Sequence, residues 1–333
     1  MTLSSDVSAP RVIIAGEHFQ PILPYLQEAY PGIDAARVAA DALEASLADA
    51  DVLVPTMVRI TEAHMACAPR LRLIHQWGAG LEGVDIAAAT RRGIAVANVP
   101  TAGGGNAMSV AEWCVMAAIC LSRSYPQVQA QVLEGGAWGF PAGFSLLGKS
   151  AGIIGLGGIG QALAERLKPF GMRLLGIKRS ADPALHAQLG LDWSGTMADL
   201  PTLLSQADYV FLCTPLTAKT RDLIDAAALR AMQPQAYLIN PARGGLVNEQ
   251  ALLDALTSGR LAGAALDVFW QEPVACDHPV VRHPRVLSTP HIAGVTDASY
   301  RHIAAGLSAN IRRVMQQQRP DNCANPAVTP WYA

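Results

Sequence analysis

The chain has 333 residues, enough for about two domains at ~150 residues each. Hydrophobic residues make up 51% and charged residues 16%, so it can bury large cores and is not a disordered polymer. A net charge of −2 provides no basic footprint for nucleic acid or an anionic membrane surface.

The polar start, residues 1–10, lacks the basic residues and apolar run of a signal peptide. Residues 11–15, 51–54 and 71–76 read as buried strands, the last followed by the turn Gly78-Ala79-Gly80. Residues 25–30 and 41–47 carry helical spacing, and 94–98 is a short strand ending before Pro100. Strands alternating with helices imply a parallel sheet covered on both faces.

Residues 101–105, Thr-Ala-Gly-Gly-Gly, form a flexible connection that opens a long apolar helix around Glu112. Its apolar stretch, 107–121, is interrupted by Glu112 and too short to span a bilayer, so no membrane association is expected. A glycine-bearing loop, 134–148, leads into a second βαβ rhythm. Strands are expected at 153–154, 174–177, 209–213, 237–240, 263–267 and 286–288. Six such strands match a doubly wound nucleotide-binding sheet. After Ala293 a helix presents Ile303, Leu307, Ile311 and Met315 on one face, which suits packing back on the first unit. Residues 316–333 read as an extended tail. The expected organisation is a discontinuous domain, 1–99 plus 295–333, and a second domain, 100–294, with hinges near 98–100 and 289–294 and a cleft between them.

Gly155-Leu156-Gly157-Gly158-Ile159-Gly160 fits G-x-G-x-x-G after an apolar strand and before an amphipathic segment, 161–170. Gly155 and Gly157 allow a tight turn whose N–H groups approach a pyrophosphate, and Gly160 lets helix and strand pack closely. In such a site an acidic residue about 20 positions on binds the adenosine ribose. Here the next strand ends instead in Lys178-Arg179-Ser180. Two cations and a hydroxyl suit a 2′-phosphate and point to NADP(H), with NAD(H) left open through Asp182. The six cysteines (Cys67, Cys114, Cys120, Cys213, Cys276 and Cys323) form no CxxC pair and have no histidine at zinc spacing. That indicates reduced thiols in the cytoplasm and no metal.

Three further segments carry the chemistry. They are Asn240-Pro241-Ala242-Arg243-Gly244-Gly245-Leu246-Val247, then Ala264-Ala265-Leu266-Asp267-Val268-Phe269 with Glu272-Pro273, then Thr289-Pro290-His291-Ile292-Ala293-Gly294. With the glycine motif, and over about residues 71–307, they resemble the D-isomer-specific 2-hydroxyacid dehydrogenases. The resemblance implies an α/β fold of two domains. One is a Rossmann-type doubly wound parallel sheet that binds the nucleotide; the other is a smaller flavodoxin-like α/β substrate domain.

The resemblance also assigns roles. His291 is the acid in reduction and the base in oxidation, Glu272 bonds its other ring nitrogen and favours imidazolium, and Arg243 clamps the substrate carboxylate and carbonyl. Asp267 is expected at the nicotinamide carboxamide, and Cys213-Thr214-Pro215, Ala242 and Gly294 beside the cofactor. The turn Gly78-Ala79-Gly80, preceded by Trp77, matches the loop that receives the substrate carboxylate. Trp77 stands where the family often has a smaller residue, and Trp138 and Trp270 are further candidates for an apolar wall.

Arginine is absent from Val54-Pro55-Thr56-Met57, and the 333 residues include no C-terminal regulatory domain; both weigh against 3-phosphoglycerate. Glyoxylate and hydroxypyruvate lead among small 2-oxo acids. Formate or phosphite oxidation on the same scaffold, a bulkier 2-oxo acid and a non-catalytic nucleotide-sensing module resembling corepressors remain alternatives. The apolar helix 110–121 suggests a homodimer.

Overall fold

Short runs of Val, Ile, Leu and Ala build two parallel sheets in the computed structural model, which describes residues 9–101 and 103–331. Most of the 1–10 segment, Ala102 of the glycine connection and the last two residues of the tail lie outside the described residues. The chain divides into two compact units, Met1–Asn106 with Asp297–Ala333, and Ala107–Thr296.

In the first unit β1 (Arg11–Ala15), α1 (Ile22–Ala29), β2 (Asp34–Val38), β3 (Val52–Pro55), α2 (Glu62–Ala66), β4 (Leu73–His75), α3 (Ile86–Arg91) and β5 (Ala95–Ala97) follow in order. The sheet order is β2-β1-β3-β4-β5, all parallel. This is the flavodoxin-like arrangement expected from the family resemblance. Alternate residues take opposite faces, so Ile13, Leu53, Ile74 and Val96 share one core with Met65 of α2 and Ala88 of α3. Residues 41–47 do not form an α-helix. Two 3-10 turns, Ala40–Ala42 and Glu44–Ser46, replace it, and the fully buried Leu43 and Leu47 supply the helix-like spacing.

The second unit is entered through α4 (Gly105–Ser122), followed by α5 (Tyr125–Glu134), β6 (Ser150–Ile154), α6 (Gly158–Leu167), β7 (Arg173–Lys178), α7 (Pro183–Leu189), β8 (Trp193–Thr196) and α8 (Leu200–Leu204). Then come β9 (Tyr209–Leu212), α9 (Ala226–Ala231), β10 (Ala236–Asn240), α10 (Glu249–Thr257), β11 (Leu261–Leu266), α11 (Pro279–Arg282) and β12 (Val286–Ser288). Seven strands, one more than the sequence indicates, lie in the order β12-β11-β10-β9-β6-β7-β8. From β6 outward this is the doubly wound order, with both faces buried. Ile153, Phe211 and Ile239 face the core that includes α4 and α6, while Ile154, Val210, Leu212 and Leu238 face the opposite core. By length and composition α4 could cross a membrane, yet half of it is buried, and Val110, Trp113, Cys114 and Ala117 are core residues of this unit.

The chain returns to the first unit as α12 (Asp297–Met315), which packs on α1 and buries Ile303, Leu307 and Ile311. The tail beyond it covers the open edge of β5. Cys323 bridges Ala97, and the Ala324 N–H donates to the Val96 carbonyl at 2.7 Å. Asn325, 6% exposed, accepts from the Val96 N–H at 2.8 Å and donates to the carbonyl of Ile94 and the hydroxyl of Thr90. Asn325→Ala leaves these groups buried and unpaired, so urea denaturation should show a loss of ~2 kcal/mol or more. A loss below ~0.5 kcal/mol would mean that water replaces the side chain.

Candidate active site

The carboxyl ends of β6, β7, β9, β10, β11 and β12 carry the cofactor and catalytic candidates of the second unit. At the first of these, Gly155 has φ +103°, and a Cβ there would lie 2.5 Å from the Cys213 carbonyl oxygen. A Cβ on Gly160 would collide with the Gly155 carbonyl oxygen, so the turn and α6 can approach only as glycine. A Cβ on Gly157, the N-cap of α6, would meet no atom within 4 Å, and no side chain caps the helix there. Open space in front of uncapped amides at the N-terminus of a ten-residue helix fits a pyrophosphate. Leu156 is buried beneath this turn, and Gly158 and Ile159 form the first turn of α6.

The end of β7 lies beside it, with the Gly155 N–H donating to the Ile177 carbonyl at 2.8 Å. Lys178 closes that strand and ion-pairs with Asp182, whereas Arg179 and Ser180 are exposed. After β9, the Cys213 N–H donates to Ile154; desolvation pushes its thiol up to about 12, so it stays neutral at physiological pH. Thr214 and Pro215 follow it at the strand end.

Arg243 follows β10. Asn240 fixes this corner by donating to the Arg243 carbonyl at 2.8 Å and accepting from the Ala242 N–H at 3.0 Å. The next residue, Gly244, lies so close to Phe269 that a Cβ would collide with its backbone. This contact holds the Arg243 loop against the segment that carries Glu272. Glu272 Oε1 accepts from the Phe269 N–H at 2.8 Å, and Oε2 pairs with His291 Nδ1 at 2.7 Å. Burial opposes ionisation of Glu272, but the hydrogen bond and charge of His291, the Phe269 amide and the charge of Arg243 outweigh it and hold its carboxyl below the usual value. His291 is 31% and Glu272 19% exposed at the side chain, which leaves the imidazole accessible.

Asp267 anchors the His291 loop. Its Oδ1 accepts from the Thr289 hydroxyl at 2.6 Å and the Ile292 N–H at 2.8 Å, and its Oδ2 accepts from the Ala293 N–H at 2.8 Å. The Asp267 carbonyl accepts from the His291 N–H at 2.8 Å. These bonds hold His291 at φ +56°, a left-handed conformation uncommon for a side-chain-bearing residue. Gly294 closes the turn, its carbonyl accepting from the Thr296 N–H. The anchoring function of Asp267 and Thr289 was not anticipated from sequence. An aspartate at a strand end, 22 residues before a threonine that shares a loop with a histidine, is the available signal.

In the first unit, Trp77 follows β4 and is 5% exposed, set edge-to-face on Tyr300 at 5.3 Å. Gly78 has φ +117°, and the Ala79 carbonyl accepts from the Asn98 side chain, which fixes the turn that continues into Gly80. Trp138 is 90% exposed, while Trp270 donates from Nε1 to the Val247 carbonyl and stacks on His278.

Because the folded value of Glu272 lies below its unfolded value, near 4.5, its ionised form stabilises the fold above that pH. The contribution fades as pH falls through the folded value. Glu272→Gln should therefore lower unfolding free energy more at pH 7 than at about pH 3.5, as read by denaturant titration. An equal loss at both pH values would mean that the carboxylate charge contributes nothing.

Residues 115–293 match the family model described as the D-isomer specific 2-hydroxyacid dehydrogenase, NAD binding domain. The D-3-phosphoglycerate dehydrogenase of Mycobacterium bovis is 35% identical over 301 residues, 87% of this chain and 55% of the relative. The chain thus spans about half the length of such relatives. Glyoxylate reductase of Korarchaeum cryptofilum is 33% identical over 286 residues, 84% of each chain. The pyruvate reductase structure from Chlamydomonas reinhardtii superposes with a TM-score of 0.83 at 27% identity, over 95% of this chain and 99% of that one. With a glycine turn and strand-end side chains set on one parallel sheet, the chain belongs to the D-isomer specific 2-hydroxyacid dehydrogenase family.

Proposed function

We propose that the protein is an NADPH-preferring reductase of small, unphosphorylated 2-oxo acids, with glyoxylate and hydroxypyruvate the leading substrates. The observation that carries this reading is the His291–Glu272 pair at 2.7 Å with the Arg243 loop pressed against the same segment. A proton donor, its anionic partner and a guanidinium on adjacent strand ends form the set that carbonyl reduction requires.

Bound at the glycine turn, the dinucleotide supplies the hydride. The pyrophosphate is assigned to residues 155–160, the 2′-phosphate to Lys178, Arg179 and Ser180, and the nicotinamide side to Cys213, Thr214, Pro215, Ala242, Asp267 and Gly294. Arg243 holds the substrate carboxylate and polarises the carbonyl with its planar fork. His291, with Nδ1–H donated to Glu272, presents Nε2–H and protonates the carbonyl oxygen, giving the 2-hydroxy acid; oxidation runs the same proton back. The backbone donors of Gly78, Ala79 and Gly80 are assigned to the carboxylate, and Trp77 to the substrate side of that turn. Similarity to a glyoxylate reductase over most of both chains supports the substrate class. The lack of an arginine in residues 54–57 speaks against a phosphorylated one.

Two further assignments belong to this reading. The enzyme is a homodimer, its partner a second copy on the surface near Val132, Trp138 and Phe140, which line one concavity and are exposed. Exposed apolar side chains grouped in this way exceed the scattered apolar residues of a monomer surface. It works in the cytoplasm, where its six free cysteines stay reduced.

The first test is the initial rate of NADPH and of NADH oxidation with glyoxylate and with hydroxypyruvate. Turnover faster with NADPH is expected; cofactor binding without turnover on these or bulkier 2-oxo acids would favour a nucleotide sensor. His291→Ala should lower kcat by ~10²-fold or more with cofactor affinity retained. Near-normal kcat would mean that another group delivers the proton. Light scattering should give twice the chain mass, and Leu133→Glu with Trp138→Glu should reduce it to one.

A further inference from the structure

The two cations that follow the glycine turn are not equivalent. Lys178 Nζ donates to Asp182 Oδ2 at 2.7 Å, a pair with side chains 29% and 36% exposed. The other oxygen, Oδ1, accepts from the Leu185 N–H at 3.0 Å and caps α7. The hydrogen bond from Lys178, with that of the Leu185 amide, holds the Asp182 carboxyl below its usual value, so it is ionised at neutral pH. Arg179 and Ser180 are exposed and form no hydrogen bond or ion pair among the described residues.

We infer that Asp182 is a positioning residue that sets cofactor specificity by engaging and neutralising Lys178, so that Arg179 alone supplies the uncompensated charge for a 2′-phosphate. The inference rests on residues 178–180 being the 2′ subsite. An ammonium paired at 2.7 Å adds little field beyond its partner, because the two charges nearly cancel at a distance. One unpaired guanidinium attracts a 2′-phosphate without forbidding a 2′-hydroxyl. The pair therefore keeps the site NADPH-preferring but usable by NADH.

The two members of the pair should then act in opposite directions. Without the carboxylate, Lys178 is free to reach a 2′-phosphate as a second cation. Without the lysine, the carboxylate repels the phosphate and offers an acceptor to a 2′-hydroxyl. Asparagine and serine cap helices about as well as aspartate, so Asp182→Asn and Asp182→Ser remove the charge and keep the cap.

The test is calorimetric binding of adenosine 2′,5′-bisphosphate and of 5′-AMP to the full chain, which needs no turnover. Asp182→Asn and Asp182→Ser should each tighten the bisphosphate about two- to fivefold relative to 5′-AMP, the range expected of one exposed ion pair. Lys178→Ala should weaken it relative to 5′-AMP, and Lys178→Ala with Asp182→Asn should return the ratio near the starting value. A ratio unchanged or lowered in both Asp182 variants overturns the inference. Arg179→Ala separates the two levels: if it weakens the bisphosphate while the Asp182 variants do nothing, only the role of Asp182 falls. If Arg179→Ala leaves the ratio unchanged as well, the 2′ subsite itself falls.

Discussion

The carboxylate of Asp267 sits at the end of β11, 1% exposed, and everything chemical around His291 depends on how its burial is resolved. Burial pushes its carboxyl up, and the Thr289 hydroxyl and the Ala293 and Ile292 amides, together with the charge of His291, oppose that rise. The three hydrogen-bonding partners all belong to the loop that follows β12. A buried carboxylate short of donors is costly, so the loop is held in the one conformation that supplies them. That conformation carries His291 at positive φ and sets its ring nitrogen on Glu272. The geometry of His291 thus follows from satisfying a neighbouring anion.

Close backbone approach supplies the second constraint. Gly244 brings the Arg243 loop against Phe269, and Phe269 in turn donates its N–H to Glu272. Gly155 performs the same function one strand pair away, where the turn after β6 meets the carbonyl of Cys213 after β9. In a parallel sheet all strands end on the same side, so each such contact ties two loops at one edge. The functional side chains are therefore fixed by glycines that carry no chemistry.

The sequence revealed the central strands more clearly than the edges, and the reason is burial. β1, β3, β6 and β9 are almost wholly buried apolar runs, and all were legible. β2 reads Asp-Ala-Ala-Arg-Val and β8 Trp-Ser-Gly-Thr; both are edge strands, partly exposed, with no apolar run to announce them. Leu43 and Leu47 imitated a helix because 3-10 turns also return a side chain to the core every few residues. At the site, Arg243, Glu272 and His291 were legible as residue types in order. The bonds that aim them were not, since Thr289 and the amides of residues 292 and 293 are generic donors until the loop is folded.

Charge order along the strand ends explains why this set suits an anion. Glu272 is bonded to His291 through one oxygen, and the charge of Arg243 lowers its proton affinity further. Were the carboxylate fully exposed, solvent would screen it, and were it unpaired, burial would push its carboxyl up. Paired as it is, it stays ionised and neutralises only one of the two cationic groups. With the imidazole protonated, the group of three carries one net positive charge in a partly desolvated setting. Under the proposed function a 2-oxo acid would bring one negative charge to it, and reduction would consume an imidazole proton as the carbonyl becomes a hydroxyl.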